Sequence, residues 1–142
     1  MAHYDFGVDL AKSHASVQTV ITLLQAHYSI EQIAINHTAS HDFTGYYQGQ
    51  PFTVEVKEDL LFSKTGNVAI EYKSRDKLSG LSTSTATYWC YKLGENAYLI
   101  QTNRLRHWLN QSRFKRVTGG DYDTSELILV PVDVFTSWCK KL

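Results

Sequence analysis

Apolar and polar residues alternate along two neighbouring stretches of the chain, residues 52–59 and 66–73. Successive side chains of a β-strand point to opposite faces, so each stretch predicts a strand with one apolar and one polar face. The polar faces carry Asp59 on the first strand and Glu71 and Lys73 on the second. If the two strands form a hairpin with both apolar faces in the core, these three side chains converge.

The pattern elsewhere predicts further helices and strands. Helical spacing of apolar residues, with Ser13 and Asn103 as N-caps of two of the segments, favours helices over 13–27, 83–93, 103–110 and from about 133 to 139. Short apolar runs favour strands over 43–48, 51–61, 97–101 and 127–132. Residues 29–34 fit either a helical turn or an edge strand. The expected fold is a single α/β or α+β domain, residues 1–142, with helices flanking a central sheet.

Composition changes this picture little. The 142 residues are 43% apolar and 20% charged, which is ordinary for one globular domain. No apolar run reaches membrane-spanning length, and the first residues lack the pattern of a signal peptide. Cys90 and Cys139 lie far apart, so we expect two reduced, buried thiols in a cytoplasmic protein that does not enter membranes.

Charge is unevenly distributed although the formal net charge is zero. Residues 1–60 carry two Lys and seven acids, residues 61–118 carry ten Lys or Arg and three acids, and residues 119–142 carry two Lys and four acids. The basic excess follows the acidic stretch, where a polyanionic substrate would need it, although a solvated basic face has the same composition.

Two histidines, His37 and His41, stand four residues apart in a polar segment. On a helix that spacing binds zinc, but the glutamate of the zincin pattern is missing and the segment is turn-like. A surface loop is the favoured interpretation.

The predicted cluster of two acids and a lysine suits metal-assisted phosphodiester hydrolysis. Magnesium prefers hard oxygen ligands, so Asp59 and Glu71 would bind it, with the carbonyl oxygen of Tyr72 as a third ligand. Lys73 would orient or help to deprotonate the attacking water and offset phosphate charge. The alternative is a surface ion pair between Glu71 and Lys73 with no catalytic role.

The same segment resembles the PD-(D/E)xK nuclease superfamily, which has the restriction-endonuclease-like fold. The resemblance rests on Asp59, a turn, Ile70-Glu71-Tyr72-Lys73, Ser79-Gly80 and the hydroxyl-rich stretch that follows, and it looks like that of small phage-type or resolvase-like members. It extends loosely over residues 43–132, including Gly119-Gly120-Asp121.

This resemblance implies a mixed sheet flanked by helices, dependence on Mg²⁺ with Mn²⁺ as a substitute, and cleavage of DNA. It assigns Asp59 and Glu71 as metal ligands and Lys73 as the catalytic lysine. Two departures are visible, since Glu58 replaces the motif's proline and the first helix offers only Gln18 where many members carry an acid. One or two metals therefore stay open, and Glu55 or Glu58 is a candidate substitute ligand.

The expected function is a magnesium-dependent DNA endonuclease that acts as a homodimer or higher homo-oligomer, because a chain this small spans a duplex site by pairing. Candidate contacts to the nucleic acid are Arg75, Lys77, Ser79, Ser84, Arg104, Arg106, Arg113, Lys115 and Arg116. Homing, restriction and Holliday-junction enzymes stay undecided, as does DNA against RNA. The alternatives are a noncatalytic nucleic-acid-binding or phage accessory protein on the same fold, and a protein-interaction module built on exposed aromatic residues.

Overall fold

A computed structural model describes residues 6–36, 41–119 and 124–142. Within these ranges the chain forms four α-helices, α1 Phe6–His27, α2 Phe62–Thr65, α3 Thr102–Gln111 and α4 Val132–Trp138. The ten strands of the same ranges are β1 Ile30–Ile35, β2 Phe43–Tyr47, β3 Gln50–Glu58, β4 Asn67–Ser74, β5 Lys77–Leu78, β6 Tyr88–Leu93, β7 Asn96–Gln101, β8 Lys115–Gly119, β9 Ser125–Pro131 and β10 Lys140–Lys141. A 3₁₀ turn covers Gly80–Ser82. A mixed α/β architecture is therefore confirmed.

The described strands form two sheets, whereas the sequence pattern predicts one central sheet. The large sheet has six strands in the order β1-β2-β3-β6-β7-β10, and the small sheet has four in the order β5-β4-β9-β8. The large sheet is mixed, because β3 pairs in parallel with β6 while its other neighbouring pairs are antiparallel. The small sheet is antiparallel throughout. The predicted hairpin between residues 52–59 and 66–73 is thus wrong, since β3 and β4 belong to different sheets.

Helix α1 covers one face of the large sheet. Its apolar positions Val17, Val20, Ile21 and Leu24 recur every three or four residues and are buried. They pack in one cluster with residues of β3 and β6 such as Val54 and Cys90. The predicted amphipathic helix is confirmed, but it begins at Phe6, so Ser13 lies inside it and is not the N-cap.

The opposite face of the large sheet packs against the small sheet and helices α3 and α4. Trp89 and Tyr91 of β6 lie in one buried cluster with Val68 and Ile70 of β4 and Phe135 of α4. The strand β6 is thus buried on both faces, because Cys90 between these two residues faces α1. Truncating a fully buried aromatic residue of this kind costs about 3–5 kcal/mol of folding free energy.

The helix predicted over 83–93 is wrong, because residues 88–93 form the strand β6. A strand buried on both faces shows no polar alternation, and its aromatic and apolar residues imitate a buried helix. The undecided segment 29–34 is the edge strand β1, and one turn of helix, α2, lies in the turn predicted over 62–67. Helix α3 begins at Thr102, whose hydroxyl donates a 2.6 Å hydrogen bond to the carbonyl oxygen of Ala86, so Asn103 lies in the first turn and not at the cap.

The predicted burial of the cysteines is confirmed for Cys90, whereas Cys139 is half-buried. Burial raises the pKa of both thiols to about 12. At Cys90 the nearby thiol of Cys139 adds to this increase. Both therefore stay protonated at neutral pH. No helix in the described ranges is long and apolar enough to cross a bilayer.

Candidate active site

Strand β3 carries the polar face around which the candidate site is built. Phe52 and Val54 are buried in the cluster that contains α1, so Glu55 and Lys57 point to the other face, as the alternation predicts. On the parallel neighbour β6, Trp89 lies opposite Glu55 and Tyr91 lies opposite Lys57. Two aromatic residues of β6, Trp89 and Tyr91, therefore lie beside the polar residues of β3.

Asp42 lies close to Glu55 and Lys57. It directly precedes β2, whose first residue, Phe43, pairs with Val54 of β3. The backbone amide of Asp42 donates to the carbonyl oxygen of Val54 at 2.9 Å, and its Oδ2 accepts a 2.6 Å hydrogen bond from the amide of Val56. These backbone contacts hold the carboxylate at the edge of β3.

Lys57 completes this group, which we call the β3 cluster (Asp42, Glu55, Lys57). Its ammonium lies 3.2 Å from Glu55 Oε1 and 5.6 Å from the centre of the Trp89 ring. Burial raises the pKa of Glu55, Lys57 opposes the shift, and the negative charge of Asp42 adds to it. Two neighbouring carboxylates, one of them partly desolvated, form a site that a divalent cation would neutralise.

A second pair of acids, Asp59 and Glu71, lies near Lys57. Both line one cleft of about 490 Å³, and Lys57 lines it as well. Asp59 follows β3 and bridges to the small sheet, because its carboxylate accepts 2.9 Å hydrogen bonds from the amides of Leu61 and Ala69. The structure thus brings these two predicted site residues to one cleft without the predicted hairpin.

Two serines fix the carboxylate of Glu71. The hydroxyl of Ser125 donates to Oε1 at 2.8 Å, and the hydroxyl of Ser79 donates to Oε2 at 3.1 Å. Gly80 follows at φ +52, where a β-carbon would collide with the backbone carbonyl of Glu71. Ser79, predicted as a contact to nucleic acid, therefore positions an acidic side chain.

Lys73 lies away from this cleft, so the predicted convergence of Asp59, Glu71 and Lys73 is wrong. Glu71 pairs with Leu127 of β9 and Lys73 pairs with Glu126, which leaves Tyr72 as an extra residue in β4. Consecutive residues of β9 face opposite ways, so this bulge turns Lys73 to the face opposite Glu71. There its ammonium lies 3.8 Å from Glu126.

The predicted third metal ligand, the carbonyl oxygen of Tyr72, already accepts two hydrogen bonds. They come from the amide of Ser79 at 3.1 Å and the hydroxyl of Ser82 at 2.8 Å. Because a carbonyl oxygen has two lone pairs, this arrangement does not fit a metal ligand. The ring of Tyr72 packs under the guanidinium of Arg116 at 4.8 Å.

Glu58, considered as a substitute ligand, lines the cleft, but its carboxylate is bound to residues of α1 and β6. It accepts a 3.2 Å hydrogen bond from the hydroxyl of Ser16 and pairs with Lys92 at 2.8 Å.

The buried phenol of Tyr91 is affected by the acids of both groups. Burial first, and then Asp59, Cys139, Glu55 and Glu71, raises the pKa of its phenol well above the ordinary value, so the phenol stays protonated.

The predicted nucleic-acid contacts differ in their surroundings. Arg75 and Lys77 are exposed at the tight turn between β4 and β5, and Arg113, Lys115 and Arg116 are exposed in and before β8. These five cations are placed where a polyanion can reach them.

Two other predicted nucleic-acid contacts, Arg106 and Ser84, make hydrogen bonds that hold the fold together. Arg106 donates to the carbonyl oxygens of Leu81 and Ser84, and the Ser84 hydroxyl accepts from the indole of Trp89. Arg104 lines a separate cavity, described below.

Among the described residues, only pairs of carboxylates could bind a hard cation such as Mg²⁺. In the described ranges no three His, Cys, Asp or Glu side chains form a metal-binding group. A carboxylate offers about four lone-pair positions, and the contacts above use one on Asp42 and one on Glu55. Magnesium keeps several waters, so one such pair is sufficient.

Two features singled out in the sequence fall outside the described residues. One is the pair His37 and His41, of which His37 is not described. The other is the loop Gly119-Gly120-Asp121, of which only Gly119, the last residue of β8, is described.

Comparison with known proteins adds no relative: no protein-family model, curated protein or solved structure matches this chain.

The sequence analysis does not predict the β3 cluster as a site, although the sequence contains a pattern that indicates it. Glu55-Val56-Lys57 is an acid-x-Lys run on a strand, and Asp42 directly precedes the preceding strand. The same pattern recurs at Glu71, where the surrounding residues carry the family resemblance and so favour the second run over the first.

Proposed function

We propose that the protein is a magnesium-dependent endonuclease that hydrolyses phosphodiester bonds in DNA, with the β3 cluster at its centre. One observation carries the proposal: the carboxylate of Asp42 accepts a hydrogen bond from the amide of Val56, the residue between Glu55 and Lys57, and the ammonium of Lys57 lies 3.2 Å from Glu55 Oε1. An acid followed by acid-x-Lys is the pattern of the nuclease superfamily that the chain resembles. The mixed sheet with helices against it supports a restriction-endonuclease-like fold as part of the same proposal.

In this assignment Asp42 and Glu55 hold the cation and Lys57 faces the substrate. When bound, Mg²⁺ offsets charge on the phosphate and makes a coordinated water more acidic. The ammonium of Lys57 orients the attacking water and places a positive charge beside the phosphate oxygens. The backbone contacts of Asp42, and Trp89 and Tyr91 beside Glu55 and Lys57, keep these groups in place before substrate arrives.

The acidic pair Asp59 and Glu71 widens the same site. It shares a cleft with Lys57, and its hydrogen bonds fix both carboxylates. Exposed cations follow directly in the chain, with Arg75 and Lys77 on the hairpin after Glu71. A polyanion lying along the small sheet would therefore meet positive charge beside the acids, which is the arrangement that phosphate contacts require. A second copy of the chain would extend this surface over a duplex.

A noncatalytic nucleic-acid-binding protein is the second candidate. The observation in its favour is that Lys73 and the carbonyl oxygen of Tyr72 are both unsuited to the predicted metal site. Such a protein would keep the basic surface and bind DNA equally well in EDTA.

Manganese binding followed by calorimetry or electron paramagnetic resonance separates the two candidates. The native chain should bind Mn²⁺, and Asp42→Asn should weaken binding by about tenfold or more, because it removes a charged ligand. Glu71→Gln is the matched variant in the second acidic pair. A larger loss in Glu71→Gln than in Asp42→Asn would move the centre to Asp59 and Glu71.

Cleavage should then be measured on supercoiled plasmid, single-stranded DNA, a four-way junction and RNA, each with Mg²⁺ and with EDTA. Metal-dependent cutting that Asp42→Asn abolishes is expected, and preference for the junction would identify a resolvase. A native chain that binds DNA in EDTA, takes up no Mn²⁺ and cuts none of these substrates would establish the noncatalytic candidate.

A further inference from the structure

A second cavity lies at the other end of β3, which we call the basal cavity. It has a volume of about 370 Å³ and is bounded by the first residues of β3, the start of β6, the end of β7 and the C-terminal part of α1. Pro51 in its wall and Lys57 stand at opposite ends of β3, a separation of about 20 Å along a strand. Phe52 and Val54, which also line it, face away from the β3 cluster.

Five aromatic side chains line the basal cavity among aliphatic ones. Tyr28 and Tyr47 contribute one pair of rings, edge to face with centres 5.5 Å apart, and Phe52 and Tyr88 contribute another at 6.1 Å. Trp138 adds an indole. Such a wall offers ring edges and faces to a flat apolar body, and the volume lies in the range of small-molecule sites.

The charged groups among the described lining residues of the basal cavity are all positive. They are Arg104 and Lys140, and within the described part of the chain no Asp or Glu lines the cavity. Neither cation belongs to an ion pair among the described residues. Gln50 and Gln101 add amide groups that can donate hydrogen bonds to an anionic oxygen. An aromatic pocket with two cations is complementary to a ligand that is flat, apolar and negatively charged.

We propose that the basal cavity binds a small aromatic anion, with the ring system against the tyrosine and phenylalanine rings and the anionic group beside Arg104 and Lys140. The proposal is independent of the nuclease function, because the described linings of this cavity and of the cleft of Asp59 and Glu71 have no residue in common. It also gives Arg104, predicted as a DNA contact, a different role.

Two fluorescent probes of the same ring system test this assignment. The probes are 8-anilinonaphthalene-1-sulfonate, an aromatic anion, and N-phenyl-1-naphthylamine, which lacks the sulfonate. The anionic probe should bind the native chain saturably, with one site per chain, and more tightly than the neutral probe. Arg104→Gln and Lys140→Gln should each weaken the anionic probe by about threefold, and together by about tenfold, as expected for charge contacts near the surface. Neither change should affect the neutral probe.

Lys141→Gln and Arg113→Gln are the matched controls, since each removes one exposed cation that does not line the cavity. Near-ultraviolet circular dichroism of every variant checks that the side-chain packing is native, because the anionic probe also binds partly unfolded chains. Equal binding of both probes would overturn the proposal, as would equal losses in the control variants or the absence of a saturable site.

Discussion

The chain contains two Glu-x-Lys runs on strands, and the structure treats them differently. On β3, Glu55 and Lys57 share a face and form a 3.2 Å ion pair close to Asp42. On β4, Glu71 and Lys73 are turned to opposite faces, and Lys73 lies 3.8 Å from Glu126 instead. The same tripeptide pattern therefore gives a charge cluster in one place and separated charges in the other.

The partner strand makes the difference. Strand β3 runs in regular register with β6 from Val54 to Glu58, so its alternation holds. Strand β4 carries one residue more than β9 at Tyr72, and a single extra residue reverses every side chain that follows. Spacing in a strand predicts a shared face only where the pairing has no bulge.

Replacing each of the two lysines should produce the largest difference. If the β3 cluster is catalytic, Lys57→Ala should lower the rate of metal-dependent DNA cleavage by about 100-fold or more, the size of a lost acid–base or charge-stabilising group. Lys73→Ala should stay within about threefold of the native rate, because its exposed ion pair contributes little. Single-turnover cleavage measures both, and a greater loss in Lys73→Ala than in Lys57→Ala would reverse the assignment.

Gly80 tests how tightly Glu71 is held on the β4 side. Gly80→Ala should lower the free energy of unfolding by about 1–3 kcal/mol, because it strains a positive φ and drives a β-carbon into the carbonyl of Glu71. Gly49 supplies the control Gly49→Ala, since it has φ +78 and no atom lies within 4 Å of the position that its β-carbon would take. Urea denaturation should show the smaller loss in the control, and equal losses would mean that the contact with Glu71 is unimportant.

The raised pKa of Glu55 on β3 predicts that the stability of the folded chain depends on pH. Its raised pKa means that the folded chain holds this proton more tightly than the unfolded chain does, so stability is lost as pH rises from about 4.5 through the raised value. Glu55→Gln removes this effect and should melt above the native chain at pH 7 but not at pH 4.

Thermal melts across this range, with exposed Glu31→Gln as the control for loss of one negative charge, measure the difference. A gain of Glu55→Gln over the native chain that is the same at both pH values would contradict the expectation.

The ion pair between Lys73 of β4 and Glu126 of β9 should contribute least to the free energy of unfolding. The side chains of Lys73 and Glu126 are 39% and 38% exposed and 3.8 Å apart, so solvent screens their attraction. Glu126→Gln should change the free energy of unfolding by no more than about 0.5 kcal/mol. A loss well above this value in urea denaturation would mean that the pair holds the bulge in place.

Local periodicity is sufficient to predict much of the fold. The spacing of Val17, Val20 and Leu24 defines α1, and the alternation from Phe52 to Glu58 defines both faces of β3. These patterns are readable because one face of each element is buried and the other is polar or exposed. The residues of β6 lack such a contrast, and the helix predicted there is wrong.

The site depends on contacts that are distant in the sequence. The bulge at Tyr72 arises from pairing with residues 125–127, which lie on a strand near the other end of the chain. Strand β3 pairs with β2 and β6 and not with β4, the next strand in the chain, and Glu55 pairs with Trp89 of β6. Asp59 and Glu71 do share a cleft, but the cleft lies between two sheets and not within a hairpin.

The parallel pairing of β3 with β6 also bears on the order of folding. Strands β1, β2 and β3 can assemble as a local meander, but Glu55 meets Trp89 only after the long loop that contains β4 and β5 closes. Closing a long loop costs chain entropy before any contact repays it, which slows folding. The two carboxylates of the β3 cluster can therefore come together early, whereas Trp89 and Tyr91 of β6 reach them late. A chain emerging during synthesis would expose these paired acids to solvent and cations before the core behind them is complete.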